Sequence, residues 1–362
     1  MKRVNNIYPK IIDKNNLLNA IYKASNGKKK RKDVKRILDN VYEYVNILYD
    51  ILNNEKYEPA KYNKTIIFDG CRKKERTIYK LKFFPDQCIH WALMLQIEKI
   101  LQRGMYYYCC GSIKGKGPFT AKKLIEKILV KDRKYTKYCL QIDIHHFYQN
   151  IDKNILKQKF RRIIKDKQTL ELIDKIVDSN EDSGIPIGNY TSQHFANYYL
   201  QDFDHYVKET LHIKYYVRYM DDALFFSNNK KQLHKTKNLI EEYLKNEKLE
   251  LKDNWQVFKT DSRPIDFLGY RFYRNYTTLR ARNALRIRRR IQKIIKKRYL
   301  NKMDAGAVIS YYGWIKHTNS QRFYNKYIKK YIKLKKCKEV IRNASRKQYK
   351  SKQIWNWKCF WK

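Results

Sequence analysis

The stretch Tyr219-Met220-Asp221-Asp222 lies between two runs of strand formers, and it constrains the fold of this chain more than any other feature. Upstream is Ile213-Lys214-Tyr215-Tyr216-Val217-Arg218; downstream is Ala223-Leu224-Phe225-Phe226. β-Branched and aromatic residues favour a pleated, partly buried surface, so the two runs read as hairpin strands joined by a tight turn. That turn would put Asp221 and Asp222 at the hairpin tip. Two adjacent anions repel each other, and a site that keeps them usually supplies a cation.

A third carboxylate lies in Tyr138-Cys139-Leu140-Gln141-Ile142-Asp143-Ile144. Residues 138–144 read as a buried strand with Asp143 near its carboxyl end, and an acid there belongs at the edge of a site because a core position is costly. Asp143, Asp221 and Asp222 together would suit two divalent ions, and oxygen ligands of this kind suit Mg²⁺. Two such ions can clamp the attacking and leaving oxygens of an in-line phosphoryl transfer. Taken singly, each Asp reads as well as a turn or cap residue. Asp152 reads as a helix cap before Ile155, Leu156 and Phe160. His145 and His146 are adjacent and should point to opposite sides, so they read as satisfied or exposed rather than as ligands of one metal.

The charge balance names the class of partner. Lys and Arg number 81 against 35 Asp and Glu in 362 residues, a formal charge of +46. Such an excess calls for a polyanion, nucleic acid before an anionic membrane surface. No segment approaches the roughly 20 apolar residues of a spanning helix, and Met1-Lys2-Arg3-Val4-Asn5-Asn6 has no apolar core behind it, so neither a membrane anchor nor a signal peptide is expected. The seven cysteines form no CxxC pair. They read as reduced thiols of a cytoplasmic protein without structural zinc.

The length allows two or three domains. Residues 1–60 look helical, with Val34, Ile37, Leu38, Val41, Tyr44, Val45 and Leu48 at helical spacing. Residues 61–275 alternate strand-like and helix-like runs. Residues 276–362 hold only two carboxylate side chains, Asp304 and Glu339. In that last region Leu285, Ile287, Ile291, Ile294, Ile295 and Leu300 recur at helical spacing among Arg286, Arg288, Arg289, Arg290, Lys293, Lys296 and Lys297. Asp304 is placed to cap a second helix carrying Ala307, Val308, Tyr311 and Trp314. The pattern is a small basic helical bundle, suited to nucleic-acid contact, with a solvated charged face as the alternative.

In order along the chain, these motifs resemble a known family. Asp143 followed five positions later by aromatic Tyr148, then a glycine-bearing loop before a helix, then Tyr-Met-Asp-Asp, is similar to the motif order of reverse transcriptases. The loop Gly184-Ile185-Pro186-Ile187-Gly188-Asn189-Tyr190-Thr191-Ser192-Gln193 lacks the Gly-Gly and Ser-Pro usual in group II intron enzymes. Its Ile-Gly-Asn and Ser-Gln resemble the reverse transcriptases of diversity-generating retroelements. So do Trp255-Gln256-Val257-Phe258, Asp266-Phe267-Leu268-Gly269-Tyr270-Arg271-Phe272 and Tyr312-Gly313-Trp314-Ile315-Lys316-His317. The resemblance spans about residues 20–330.

The resemblance implies an α+β right-hand polymerase with fingers, an antiparallel-sheet palm and a basic helical thumb. Residues 1–60 would be an N-terminal helical extension, 61–275 fingers and palm, and 276–362 thumb and tail. The implied reaction is RNA-directed DNA synthesis with two Mg²⁺ ions, held by Asp143, Asp221 and the backbone of Ile144, with Asp222 completing the charge cluster. Lys74 and Arg76 would hold the triphosphate of the dNTP, where a planar guanidinium suits phosphate well. Tyr148 would lie under the incoming sugar, although a core tyrosine fits the same spacing. Gly188, Ser192 and Gln193 would meet the template and nascent pair, with helix capping by Thr191 or Ser192 as the competing reading.

Lys114 and Lys116 would contact template or phosphate from a basic loop. Tyr219 and Met220 of the turn, and Phe267, Leu268 and Gly269 of a supporting hairpin, would face the primer, with buried packing as the alternative for the hairpin. Arg286, Arg289 and Arg290 would contact the RNA/DNA hybrid from the thumb, and Lys252 is a candidate proton donor to the leaving pyrophosphate. Gln87 stands where an arginine is common in the family. A small helical accessory protein, often pentameric, is the implied partner, in a bacterial or phage-encoded system. The rivals are a phage-defence reverse transcriptase and a structured-RNA binder with a silent site.

Overall fold

The computed structural model describes residues 2–69 and 74–344. Lys73, the side chain of Lys74, Cys71, Cys359 and the aromatic tail Trp355-Asn356-Trp357 lie outside the described residues. The chain divides into two compact units, one of residues 1–124 with 134–258, the other of 125–133 with residues from 259 onward. The first 60 residues therefore share a unit with those that follow them.

The first unit opens with α1 (Tyr8–Ile12), α2 (Lys14–Ser25), α3 (Lys32–Asp39) and α4 (Val41–Asn53). The helical spacing from Val34 to Leu48 is split between two helices, because Asn40 leaves the helical region at φ −124°, ψ 40°. Strands β1 (Asn63–Asp69) and β2 (Lys74–Lys80) form an antiparallel ribbon, with Ile67 opposite Arg76. Helix α5 (Cys88–Gln102) then packs against α1 and α2. Its buried Ile89, Ala92, Leu93, Met94 and Ile97 account for that packing. Helix α6 (Pro118–Lys131) has its first half in this unit and its second half in the other.

The sheet that carries the acids comes next. Its elements are β3 (Tyr138–Asp143), α7 (Phe147–Asn150), α8 (Lys153–Ile163), α9 (Lys167–Asp178), α10 (Tyr190–Tyr199), α11 (Gln201–His205), β4 (Tyr215–Tyr219), β5 (Asp222–Ser227), α12 (Lys230–Asn246) and β6 (Gln256–Lys259). The strand order is β4-β5-β3-β6, with β5 antiparallel to both β3 and β4. Strand β5 is interior, which explains why Ala223-Leu224-Phe225-Phe226 is a continuous apolar run rather than an alternation. Helix α12 packs on β3 and β5. Asp152 caps α8, accepting from the Ile155 amide at 2.9 Å. Asp166 caps α9 and also accepts from the Ile7 and Tyr8 amides at 2.6 and 2.8 Å, which ties the start of the chain to this helix.

The second unit contains β7 (Ile265–Phe267), β8 (Tyr270–Phe272), β9 (Thr277–Leu279), α13 (Ala281–Ile295), α14 (Lys302–Ile315) and α15 (Gln321–Tyr324). The three strands form an antiparallel sheet. Phe267 pairs with Tyr270 across a two-residue turn in which Leu268 (φ 49°) and Gly269 (φ 82°) are both left-handed. A Cβ on Gly269 would meet the Trp314 ring at 2.8 Å, so glycine also allows Trp314 to stack on Tyr270.

Two expectations for this unit change. On α13 the buried stripe is Ile287, Ile291 and Ile294, while Leu285 is 49% and Ile295 38% exposed. At 100° per residue both lie off that stripe. Asp304 does not cap α14: Asn301 does, accepting from the Asp304 amide at 2.9 Å. Asp304 is instead buried and takes Arg290 Nη2 and Lys297 Nζ at 2.6 Å each. Its carboxylate is the counter-charge that lets two cations sit at the α13–α14 packing.

All five described cysteines are buried. Among the described residues no helix is long and apolar enough to cross a membrane.

Candidate active site

Strand register brings the acids together. Asp143 at the end of β3 is opposite Asp222 at the start of β5, and Tyr219 at the end of β4 is opposite the same Asp222. The turn is therefore Met220-Asp221, with Met220 in the left-handed region at φ 56°. Of the two carboxylates expected at the tip, only Asp221 is in the turn; Asp222 opens the strand. The Ile144 amide donates to the Asp221 carbonyl at 3.3 Å, and the Lys252 amide to the Asp143 carbonyl at 2.9 Å. These bonds fix the end of β3 between the turn and the segment that holds Lys252.

The three acids, Ile144, Arg76, Tyr148 and Lys252 line a cavity of about 530 Å³. Burial pushes the Asp221 carboxyl above its ordinary value, and the Asp143 charge pushes it further, against the pull of Lys252 and Arg76. Lys252 Nζ is ion-paired with Asp143 Oδ2. The other oxygen, Asp143 Oδ1, is buried with no hydrogen-bond partner among the described residues. A buried, orphaned carboxylate oxygen beside a second acid held above its ordinary pKa is a site short of positive charge.

Among the described residues no group of three or more His, Cys, Asp or Glu is arranged to hold a metal ion. The donor set itself, carboxylate oxygens with one oxygen unsatisfied, fits a hard divalent cation.

His145 and His146 also line the cavity. Their rings do not diverge as expected but meet edge to face, with centroids 4.2 Å apart. His146 has φ 42°, which breaks the extended alternation on which that expectation rested. Its Nδ1 pairs with Gln149 Oε1 at 2.6 Å.

Tyr148, at the start of α7, is mostly buried, and burial first, then Asp221 and Tyr219, raises its phenol. Arg76 lies on β2 with an exposed side chain; the backbone of Lys74 opens the same strand.

Gly188 and Gln193 line a second cavity of about 580 Å³, which also has Lys23, Lys28, Arg31 and Lys80 in its wall. The Tyr79 amide donates to the Ile187 carbonyl at 2.9 Å, holding the loop against β2. Gly188 has φ 127°, and a Cβ there would meet the Tyr79 carbonyl oxygen at 2.7 Å, so only glycine fits. Gln193 is exposed and accepts from Ser112 Oγ at 3.2 Å. Helix α10 is capped by Asn189, without a side-chain bond. The capping reading of Thr191 and Ser192 is thus replaced: both are buried, and Thr191 Oγ1 bonds His90 Nδ1 at 3.1 Å.

Other candidates lie elsewhere. Lys114 is exposed, and Lys116 donates to the Tyr107 carbonyl at 2.6 Å; neither lines either cavity. Gln87 is engaged at both ends, by Lys28 and by the Leu81 carbonyl. In the second unit, Phe267 is buried and Leu268 half-buried, Arg286 and Arg289 are exposed, and Arg290 is held by Asp304.

Sequence reasoning passed over Arg218. It is 1% exposed, and its Nε and Nη2 donate to Asp204 at 2.6 and 2.5 Å. The available signal was a lone cation inside an apolar strand run, a position that needs a buried partner.

The reverse transcriptase (RNA-dependent DNA polymerase) family model matches residues 71–272. No curated protein matches. Among solved structures, 306 chains match. One is an apo telomerase from Candida tropicalis truncated from the C-terminal domain, at 13% identity and TM-score 0.46, covering 64% of this chain and 58% of that one. The chain thus spans under two thirds of the telomerase chain it matches.

Proposed function

The chain belongs to the reverse transcriptase family, and from that premise we propose that it is an RNA-directed DNA polymerase acting at the cavity of Asp143, Asp221 and Asp222. The observation that carries the reading is Asp143 Oδ1, without a hydrogen-bond partner among the described residues, beside Asp221: two half-buried acids whose demand for positive charge Lys252 meets only in part. Mg²⁺ held there by Asp143, Asp221 and the Ile144 backbone would supply the charge needed at the attacking and leaving oxygens.

The chain's own residues have separable tasks. Arg76 lies close enough to Asp221 to act on its charge, and its guanidinium suits a triphosphate at the same cavity. Tyr148 presents bulk where the sugar of the incoming nucleotide would lie, excluding a 2′-hydroxyl. Gly188 lets the loop backbone approach the nascent pair, with Gln193 beside it. Lys252 holds Asp143 until substrate enters and is then placed to give a proton to pyrophosphate. On this reading the β4-β5-β3-β6 sheet is the palm, the β1–β2 ribbon belongs to the fingers, and the basic helices from α13 onward are the thumb.

At finer grain, we take the Ile-Gly-Asn and Ser-Gln loop to support a diversity-generating retroelement enzyme, copying a template-repeat RNA in the cytoplasm with a small helical accessory protein. The test is primer extension on RNA with dNTPs and Mg²⁺, followed by product sequencing. Templated cDNA is expected, with errors concentrated at template adenines. Equal incorporation by the wild type and an Asp221→Asn, Asp222→Asn variant would sink the catalytic assignment, and an unbiased error spectrum would sink the retroelement assignment alone.

A further inference from the structure

Behind the Met220-Asp221 turn lies a buried polar network that the catalytic reading does not use. Arg218 on β4 has its whole guanidinium buried. One side of the fork is neutralised by Asp204, itself fully buried and also bonded by Tyr216 Oη at 2.8 Å. The remaining nitrogen, Nη1, donates to the Met220 carbonyl at 3.1 Å and to Asn197 Oδ1 at 3.2 Å.

Asn197 extends the network to the other side of the turn. Its Nδ2 donates to the Gly111 carbonyl at 2.5 Å. Residues 108–110 run along β4, the Cys110 amide donating to the Arg218 carbonyl at 2.9 Å and the Arg218 amide to Tyr108 at 3.2 Å. Gly111 is thereby set against Met220 so closely that a Cβ on it would meet Met220 Sδ at 2.6 Å and the Met220 amide nitrogen at 2.9 Å. The left-handed Met220 is clamped from both faces: its carbonyl by Arg218, its side chain and amide by Gly111.

A charge pair this deeply buried is an inefficient way to stabilise a fold, since apolar groups of the same volume often do as well. A guanidinium, unlike an apolar group, can hold a carbonyl in one place. We infer that Arg218, oriented by Asp204 and Asn197, is a positioning residue that sets the height of the Met220-Asp221 turn and hence the separation of Asp221 from Asp143. The inference rests on the polymerase reading of that pair. It makes no use of Arg218 as a group touching substrate.

Arg218→Lys keeps the charge beside Asp204 but cannot span both Asp204 and the Met220 carbonyl. Gly111→Ala leaves every charge in place and moves the turn from the other side. Three readouts are taken on the full chain: thermal melting, Mn²⁺ binding by electron paramagnetic resonance without substrate, and steady-state primer extension. Both variants are expected to bind Mn²⁺ about 10-fold more weakly and to lose about 100-fold in kcat, while KM for primer–template stays within about twofold, since the effect is confined to positioning at the reacting centre. A folded variant with wild-type kcat and Mn²⁺ affinity overturns the inference. So does failure of both variants to fold, which would make the network a determinant of the fold alone. Wild-type protein that binds no Mn²⁺ also overturns it. Wild-type protein that binds Mn²⁺ yet extends no primer defeats the polymerase reading instead, and the Mn²⁺ measurement still reports on the turn.

Discussion

Lys252 is ion-paired with one oxygen of Asp143, and the other oxygen of the same carboxylate is buried without a partner among the described residues. The lysine meets only part of the demand for charge made by two neighbouring acids. Asp143→Asn should therefore lower primer extension by about 100- to 1000-fold, the range seen when one preorganised electrostatic group is removed. Because it relieves repulsion with Asp221, the same change should leave melting in chelator unchanged or raise it. Melting curves with EDTA, run beside the extension assay, check both halves.

Tyr148 tests the sugar contact. Tyr148→Ala removes the bulk of the ring from the cavity, and ribonucleotide incorporation should rise by at least about 10-fold relative to deoxynucleotides, a pocket-contact effect of about 1–3 kcal/mol. Alkali-labile sites in the product measure it. An unchanged ratio would return Tyr148 to the core-tyrosine reading.

Gly188→Ala would force a side chain into a backbone conformation that residues other than glycine rarely adopt, against the Tyr79 carbonyl. The expected cost is about 1–3 kcal/mol of stability. Displacement of the loop from β2 should also raise KM for dNTP more than it lowers kcat. Denaturant titration and dNTP-dependent kinetics separate the two.

His205 gives a pH signature. The Glu209 carboxylate at 2.6 Å raises its pKa above 6.5, burial opposes the shift, and the Gly104 carbonyl adds to it. A raised folded pKa stabilises fully below about pH 6.5, and the benefit is lost as pH climbs through the folded value. Between pH 6 and 8 the melting temperature of the wild type should fall more steeply than that of His205→Gln. Parallel curves would remove His205 from the account.

Asp166 joins the start of the chain to α9 through the Ile7 and Tyr8 amides. Asp166→Ala should cost about 1–3 kcal/mol, because three buried or part-buried amides lose their acceptor. Hydrogen exchange should then rise at residues 7 and 8 before it rises in the sheet.

Much of this was legible because it rests on short-range pattern. The hairpin strands, the β3 strand ending near Asp143, the Asp152 cap and the basic helices all follow from periodicity or from a single capping residue. What escaped depended on partners remote in sequence. Asp304 has the sequence look of a cap but is 14 residues from the arginine it neutralises. His145 and His146 are exposed, in line with the sequence reading, but their rings meet instead of diverging because one left-handed residue, His146, cancels the alternation of a strand. Arg218 and Asp204 needed both the sheet and α11 in place before their pairing had any meaning.

The burial of Asp304 beneath Arg290 and Lys297 has a consequence for how the second unit would respond to salt. Binding of a nucleic acid weakens with ionic strength in proportion to the phosphates neutralised, each displacing about 0.9 condensed counterion on a duplex. Arg290 and Lys297 share one fixed internal anion, so together they would present about one net positive charge, not two, to an arriving strand. The salt slope of binding should therefore fall short of a simple count of Lys and Arg on these helices by about one charge, and Arg286→Gln and Arg289→Gln should each reduce it.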